Sequence, residues 1–516
     1  MRALARCTIA LLLVPSGVHA QQPPRSAAGR EIPAGMAAIR EADLTRDLYA
    51  MAGDAMRGRE AGTVDEMRAS IWVADQLRAI GVKPGAPDGT YFQWWNMRRT
   101  RVSTTASRVT VDGRELALWT EVVPNGMVAA SATAPVVVIA DPRDSTTDVR
   151  GKVVVADLQP PATAIRRDGT NSFEYRVTTS ALGTAGARWQ RRGAAAVLLV
   201  ADATAEVAFD GVAAIRSRGT YDVIGGAPRF ATQAAGAAVG GPATNAVPAA
   251  APVLLVRGSA AAAVRRPGAA AQVDIRIERF DTPSTNVVGV IRGTDPTLRE
   301  EYVLFSSHQD HDGVRFTIDG DSVWAGADDN GTVSVALLAI ARAMVRQPPR
   351  RSVLFVYHGA EERGLLGSRW HAANPVVPLD RIVAVLNGDM IGRNHPDSAS
   401  LLGVQPPHRN STQLVEMALR ANALTGRFRL DSIWDRPTHP EGWYFRSDHV
   451  PYARLNVPAL MYSTNLHADY HTPRDKPSAI DYPKLTRMTQ WMYLTGWFVG
   501  NAPRRPALDP GFRLER

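Results

Sequence analysis

Apolar positions along the chain fall into three regimes. Over 39–52 and again over 64–80 apolar residues recur at helical spacing, and Gly81 is placed to stop the second helix at its C-terminal end. Asp88-Gly89-Thr90-Tyr91-Phe92-Gln93-Trp94-Trp95 turns into a strand whose aromatic residues read as core. From about 115 to 270 Ala, Gly and Val dominate, charge is thin, and short apolar runs at 136–140, 153–156, 195–200 and 253–256 predict short buried strands. Residues 184–193 followed by the run to 200 read as helix, glycine turn, strand. This region holds no cluster of His, Asp and Glu, which marks an inserted accessory domain without chemistry of its own. Alternation returns at 273–277, and a strand follows at 286–291. Strands at 302–306, 352–357 and 382–386 then alternate with helical patterns at 331–346, 363–373 and 411–424. Such alternation predicts an α/β fold: a mixed, mostly parallel central sheet with helices on both faces, plus the inserted β-rich domain.

The ends and the composition add localisation and exclude some classes. Arg2 and Arg6, an apolar 8–14, and Val18-His19-Ala20 read as a secretory signal cleaved after Ala20. Cleavage would remove two arginines and take the formal charge from +9 to +9 − 2 = +7. No apolar run approaches the roughly 20 residues needed to span a bilayer, so the expectation is an exported protein, secreted or periplasmic, without stable membrane insertion. Residues 21–35 read as a disordered lead, 236–251 as a mobile loop and 506–516 as a C-terminal tail. Cys7, the only cysteine, lies in the signal, so the mature chain would have neither a disulfide nor a thiol nucleophile. Lysines and arginines are dispersed and not interleaved with aromatics, which argues against a nucleic-acid partner.

The candidate chemistry centres on Gly326-Ala327-Asp328-Asp329-Asn330-Gly331, where consecutive acids precede an apolar run at 332–344. A buried unpaired carboxylate is costly, so a cation is expected there. Ser307-His308-Gln309-Asp310, Ala360-Glu361-Glu362 and Asp389 each follow a predicted strand, and open α/β sheets bind ligands at the carboxyl ends of strands. Two divalent cations about 3.5 Å apart need a bridging carboxylate, further N or O ligands and a shared water. His308, Asp329, Glu362, Asp389 and His471 supply that set, a mix suited to zinc, with cobalt or manganese able to substitute. Asp310 is placed to accept the other N–H of His308. Glu361 is free to take a proton from the bridging water and return it to the leaving amine. Singly these signals have plainer readings: paired glutamates opening a helix serve its dipole, and Asp328-Asp329-Asn330 alone fits a turn or a calcium loop.

Taken in order, His308-Gln309-Asp310, Gly326-Ala327-Asp328-Asp329-Asn330, Gly359-Ala360-Glu361-Glu362-Arg363-Gly364, Asn387-Gly388-Asp389-Met390, Arg446-Ser447-Asp448-His449 and Asp469-Tyr470-His471-Thr472-Pro473 resemble the M28 family of zinc metallopeptidases. In particular the chain is similar to secreted bacterial aminopeptidases with an inserted protease-associated (PA) domain. The resemblance implies His308 and Asp389 on one zinc, Glu362 and His471 on the other, Asp329 as the bridge, a cis peptide at Asp329–Asn330 and Glu361 as general acid/base. It implies a discontinuous peptidase domain at 36–114 and 271–505 around a PA-like insert at 115–270, acting on peptide substrates as an aminopeptidase. A glutamate-releasing carboxypeptidase of the same family is the alternative and would need clustered arginines for the substrate carboxylate. An inactive PA-domain binding protein is the other, and the intact ligand set argues against it. Ser447 and Asp448 read as braces behind the ligands, a pair also suited to capping a helix. Tyr444 and Tyr462 are candidates to stabilise an oxyanion. His467 is a candidate for substrate or ligand support, and Arg393 for a substrate carboxylate or a plain salt bridge. His311, His358, His371, His395 and His439 read as structural or exposed. Gly388, where the family often has an apolar residue, is expected to leave its strand end less packed.

Overall fold

The computed structural model describes residues 31–159, 173–225 and 251–514; the expected signal at 1–20 and nearly all of the 236–251 loop lie outside them. Two sheets organise the described chain. The larger runs, from one edge to the other, Arg429–Leu430, Ser398–Leu402, Ala459–Ser463, Ile382–Gly388, Tyr302–His308, Ser352–His358, Ile277–Ile291, Phe92–Val102 and Thr220–Val223. Its centre is parallel, from Ala459–Ser463 across to Ser352–His358, and antiparallel strands flank that centre on both sides. The parallel strands are buried almost throughout, which is why they read as continuous apolar runs rather than as alternation.

Successive side chains of a strand point to opposite faces, and here each face meets helices. Val303 and Phe305 pack into a core shared with helices Glu41–Met51, Val64–Ile80, Thr332–Arg346 and Tyr482–Asn501. Leu304 faces the other side, with Ala372 of helix Leu366–Ala373 and Tyr452 of helix Val450–Arg454. Gly388 is needed for this packing: a Cβ there would stand 2.7 Å from Val333 Cγ1, so the strand end is closely packed, not loose as expected. Helix Val64–Ile80 has the limits its periodicity predicts. Thr63 accepts N–H groups of Asp65 and Glu66 at its start, and Gly81 takes the left-handed φ of +96° after its end. Among the described residues no helix is long and apolar enough to cross a membrane.

The smaller sheet is built from Arg108–Val111, Arg114–Glu115, Val122–Pro124, Ala130–Ile139, Val153–Asp157, Ala196–Val200, Val253–Val256 and Ala270–Ile275. Helices Phe173–Arg191 and Ala203–Arg218 cover one of its faces, so the segment is α/β rather than simply β-rich. The chain enters it from Phe92–Val102 and leaves through Ile277–Ile291, two strands paired from Phe92↔Val287 to Val102↔Ile277. Thr220–Val223, inside the expected insert, crosses back to pair with Phe92–Val102. Ordered packing also begins earlier than the expected lead allows: Gly35 is buried and donates its N–H to Gln347 Oε1 at 2.8 Å.

Two buried charges fix the shelf on which the candidate site rests. Arg59 is fully buried, and its guanidinium donates to the carbonyls of Gln309, Met51, Ala325 and Gly326 at 2.7, 3.0, 2.6 and 2.9 Å. It thereby joins the loop after Tyr302–His308 to the glycine turn before Asp329. Glu66 accepts Gly62 N–H at 2.6 Å and the Ser284 hydroxyl at 2.8 Å, directly beneath Gly359. Burial, with Asp310 adding to it, pushes the Glu66 carboxyl up to about 8.

Replacing Arg59 with Met leaves several buried carbonyls unpaired, and urea unfolding should show a loss of about 2–4 kcal/mol; a loss under about 1 kcal/mol would mean that these acceptors find other partners. The raised Glu66 pKa penalises the folded state wherever the unfolded chain is already ionised, so this contribution to stability falls as pH rises from about 4.5 to about 8. Glu66→Gln should therefore flatten part of the decline in Tm over that range, and an unchanged slope would show that Glu66 does not titrate there.

Candidate metal centre

His308 ends strand Tyr302–His308, Glu361 and Glu362 follow strand Ser352–His358, and Asp389 follows strand Ile382–Gly388. These three strands are parallel neighbours, so their carboxyl ends deliver the side chains to one place. Asp329 arrives from above, in the turn Ala327–Gly331 that leads into helix Thr332–Arg346, and its bond to Asn330 is cis, as the resemblance implies. The turn is held from outside. Asp475 accepts the N–H of Asp328 at 2.9 Å and of Asp329 at 3.1 Å, and Asn330 Nδ2 donates to the Gly388 carbonyl at 2.9 Å. The Asp328 carboxylate turns away to accept Gly392 N–H at 2.7 Å, which leaves Asp329 as the acid facing the site.

Asp329 spans two groups of donors. Its Oδ1 lies 3.2 Å from His308 Nε2 and its Oδ2 lies 3.1 Å from His471 Nε2. On the His308 side stand Asp389 Oδ1 at 3.7 Å and Glu361 Oε2 at 3.9 Å from the same nitrogen. On the His471 side Glu362 Oε1 lies 3.1 Å from His471 Nε2. Two clusters result, His308 with Glu361 and Asp389, and His311 with Asp329, Glu362 and His471. The charges respond strongly to this crowding. Burial pushes Glu361 well above the usual carboxylate range and raises Asp389 too. Burial would also strip the proton from His308, but Glu361, Asp329 and Asp389 outweigh it and hold the imidazole well above its ordinary value. Burial works the same way on His471, and Glu362 and Asp312 lift it to about 10. Glu362 and Asp329, penalised by burial, are drawn down by the imidazoles, Glu362 to about 2. Facing N and O donors with a surplus of carboxylates, and a buried His308 Nε2 that makes no hydrogen bond, fit divalent metal.

Several supporting residues act otherwise than the sequence suggested. Asp310 fixes His308 through its backbone carbonyl, which accepts Nδ1–H at 3.1 Å, while its carboxylate accepts the N–H groups of Glu361 and Glu362 at 3.0 and 3.3 Å. Ser447 accepts from Asn387 Nδ2 at 2.7 Å beside Asp389 and makes no helix cap; helix Val450–Arg454 begins at His449 without a side-chain cap. Asp448 is buried, and that burial raises its carboxyl to about 7. Tyr462 packs edge-on against Trp491 in the core beneath the sheet, and Tyr444 stacks on His408 with centroids 4.2 Å apart, so neither faces the metal-type donors. The aromatic at the site is Tyr470, stacked on His471 at 3.8 Å with its hydroxyl accepting from Arg446 at 2.9 Å. His467 Nε2 lies 3.5 Å from Asp328 Oδ2, and Arg393 pairs with Asp469 at 2.7 Å, the salt-bridge reading.

Two further residues belong here: His311, which reads in sequence as structural or exposed, and Asp312, which the sequence leaves unassigned. His311 reaches the second cluster, its Nδ1 2.8 Å from Glu362 Oε1. Asp312 gathers Arg218 at 2.8 Å, Arg363 at 3.2 Å and Arg315, and lies 3.7 Å from His471 Nδ1. The run His308-Gln309-Asp310-His311-Asp312 carried both, but spacing alone does not say which of five consecutive side chains turn inward.

Residues 286–495 match the model of peptidase family M28. Over 222 residues, 42% of this chain and 44% of the relative, the chain is 26% identical to aminopeptidase YwaD of Bacillus subtilis. It is likewise 26% identical over 188 residues to leucine aminopeptidase 2 of Arthroderma otae, covering 36% of this chain and 34% of that one, so each match spans less than half of the relative's length. Among solved structures, the zinc aminopeptidase BSAP from Bacillus subtilis superposes with a TM-score of 0.55 at 16% identity over 92% of this chain and 99% of that one. The aminopeptidase from Aneurinibacillus sp. strain AM-1 gives 0.52 at 16% identity over 92% and 97%. At that identity the likeness is one of fold, and the match to the model of peptidase family M28 covers the segment 286–495 that carries the donors described above.

Proposed function

We propose that this protein is a dinuclear zinc exopeptidase that removes N-terminal residues from peptides. The observation that carries the reading is Asp329, with one carboxylate oxygen 3.2 Å from the His308 imidazole and the other 3.1 Å from that of His471. His308 and Asp389 would hold one ion, Glu362 and His471 the other, and Asp329 both. Bound there, zinc would supply Lewis acidity toward a scissile carbonyl and bring the pKa of water toward neutrality. Cobalt or manganese would suit the same donors.

Glu361 takes the proton of the attacking water and returns it to the leaving amine. Its backbone is held by the Asp310 carboxylate, and its carboxyl, raised by burial, is able to keep a proton between the two transfers. The same Asp310 orients His308 through its carbonyl, so one residue sets both the proton carrier and a ligand. The acidic lining favours a cationic amino terminus over a carboxylate. Arg446 near Tyr470 is paired with Glu441 at 2.8 Å, and the arginines that gather, Arg218, Arg315 and Arg363, converge on Asp312. This supports an aminopeptidase over the glutamate-releasing carboxypeptidase, and the relatives named aminopeptidases support it too. The second sheet, entered and left through paired strands, supports an inserted PA-like domain, and the reading as an exported protein rests on residues 1–20.

Aminoacyl-p-nitroanilides with free amines should be cleaved, and a zinc chelator should abolish the activity. Cleavage of N-blocked peptides ending in glutamate would move the assignment to a carboxypeptidase, and inertness of zinc-loaded protein would leave a binding role. Glu361→Gln should retain its metal while kcat falls by about 10²–10⁴; full activity in that variant would remove Glu361 from the mechanism.

A further inference from the structure

We propose that His311 is an additional metal ligand, so that the ion held by Glu362 and His471 has a fuller protein shell and binds more tightly than the ion held by His308 and Asp389. The inference rests on the dinuclear reading and goes beyond its five ligands.

His311 is completely buried, and neither of its ring nitrogens has a hydrogen-bond partner, although Nδ1 lies 2.8 Å from Glu362 Oε1 and 3.9 Å from Asp329 Oδ2. A buried imidazole with a purely structural role normally satisfies at least one nitrogen. Here the nitrogen instead faces the same oxygens as His471 Nε2, within one group of donors less than 4.8 Å apart. The two rings meet edge to face with centroids 5.3 Å apart, which lets both point at a common centre without stacking.

The ring has little freedom to leave. Gly326 lies against it so closely that a Cβ there would stand 2.3 Å from His311 Cγ, and the His311 N–H donates to the Arg59 carbonyl at 3.2 Å. Arg59 in turn grips the carbonyls of Gln309 and Gly326. The placement is therefore built by the loop that carries His308 and by the turn that carries Asp329.

The consequence is an asymmetric centre. One ion would have His308, Asp389 and the Asp329 bridge. The other would have His311, His471, Glu362 and the bridge, four protein donors, which is the closed shell typical of firmly held zinc. The first ion keeps more open positions for water and substrate and exchanges more readily.

The test is competitive zinc titration of the chelator-stripped full chain against a chromophoric chelator, for wild type, His311→Ala and Asp389→Asn. Circular dichroism and Tm of each stripped protein establish folding. Wild type should bind two ions of unequal affinity. His311→Ala should weaken the tighter site by at least about 10–100-fold, as losing even an outer partner of a ligand does, while Asp389→Asn weakens the other. In the cobalt-loaded protein His311→Ala should change the visible d–d spectrum, and added imidazole should restore both spectrum and affinity by filling the vacated position. Unchanged affinities and spectrum in His311→Ala would overturn the proposal, as would a loss that imidazole leaves unrestored. If wild type binds only one ion, the dinuclear reading fails separately, and His311 is decided by whether its replacement weakens that ion.

Discussion

Carboxylates crowded into a buried space cannot all be ionised without a positive charge among them. Glu361 and Glu362 follow one strand, Asp389 follows another and Asp329 stands in the turn beside them, so that Asp329 with Glu362, and Glu361 with Asp389, fall into two neighbouring groups of donors. Removal from water raises Glu361 and Asp389, and only the neighbouring imidazoles keep Asp329 and Glu362 ionised. Such a cluster would favour unfolding unless a cation occupied it, because the desolvation of charge in a protein interior is costly. Metal affinity and the local stability of these loops are thus two aspects of one interaction.

The surroundings are arranged to hold those acids in place before any ligand arrives. Peptide groups carry much of this. Asp475 takes the amides of the turn bearing Asp329, Asp310 takes those of Glu361 and Glu362, and Arg59 takes the carbonyls on both sides of the cleft. Helix Thr332–Arg346 backs the turn and lies almost wholly in the core, approaching the sheet closely enough that Gly388 admits no side chain. Preorganisation of this kind leaves these side chains little conformational entropy to lose when a ligand binds.

The smaller sheet is joined to this centre by more than its connecting ribbon. Arg218, at the end of helix Ala203–Arg218, donates to both the carboxylate and the carbonyl of Asp312, and Thr220–Val223 then pairs with the edge of the larger sheet. Asp222 on that strand accepts from Arg369 at 3.0 Å. The segment that looked in sequence like an accessory without chemistry therefore supplies part of the charged wall beside His471.

By itself the sequence marked many of the elements and five of the donors that the structure brings together. Helical spacing marked Val64–Ile80, and continuous apolar runs marked Val253–Val256 and the strand starts at Tyr302, Ser352 and Ile382, as suits strands covered on both faces. The ordered motifs named His308, Asp329, Glu362, Asp389 and His471, and the structure brings all of them together. Tertiary structure alone decided direction. Whether Asp310 works through its carbonyl or its carboxylate, whether His311 turns in, and whether Tyr470 rather than Tyr444 or Tyr462 meets His471 depend on side-chain orientation after irregular turns, where no period applies. The same holds for Thr220–Val223 and Gly388: pairing to a distant strand and close approach of a helix are contacts between remote segments, and local pattern carries no record of them.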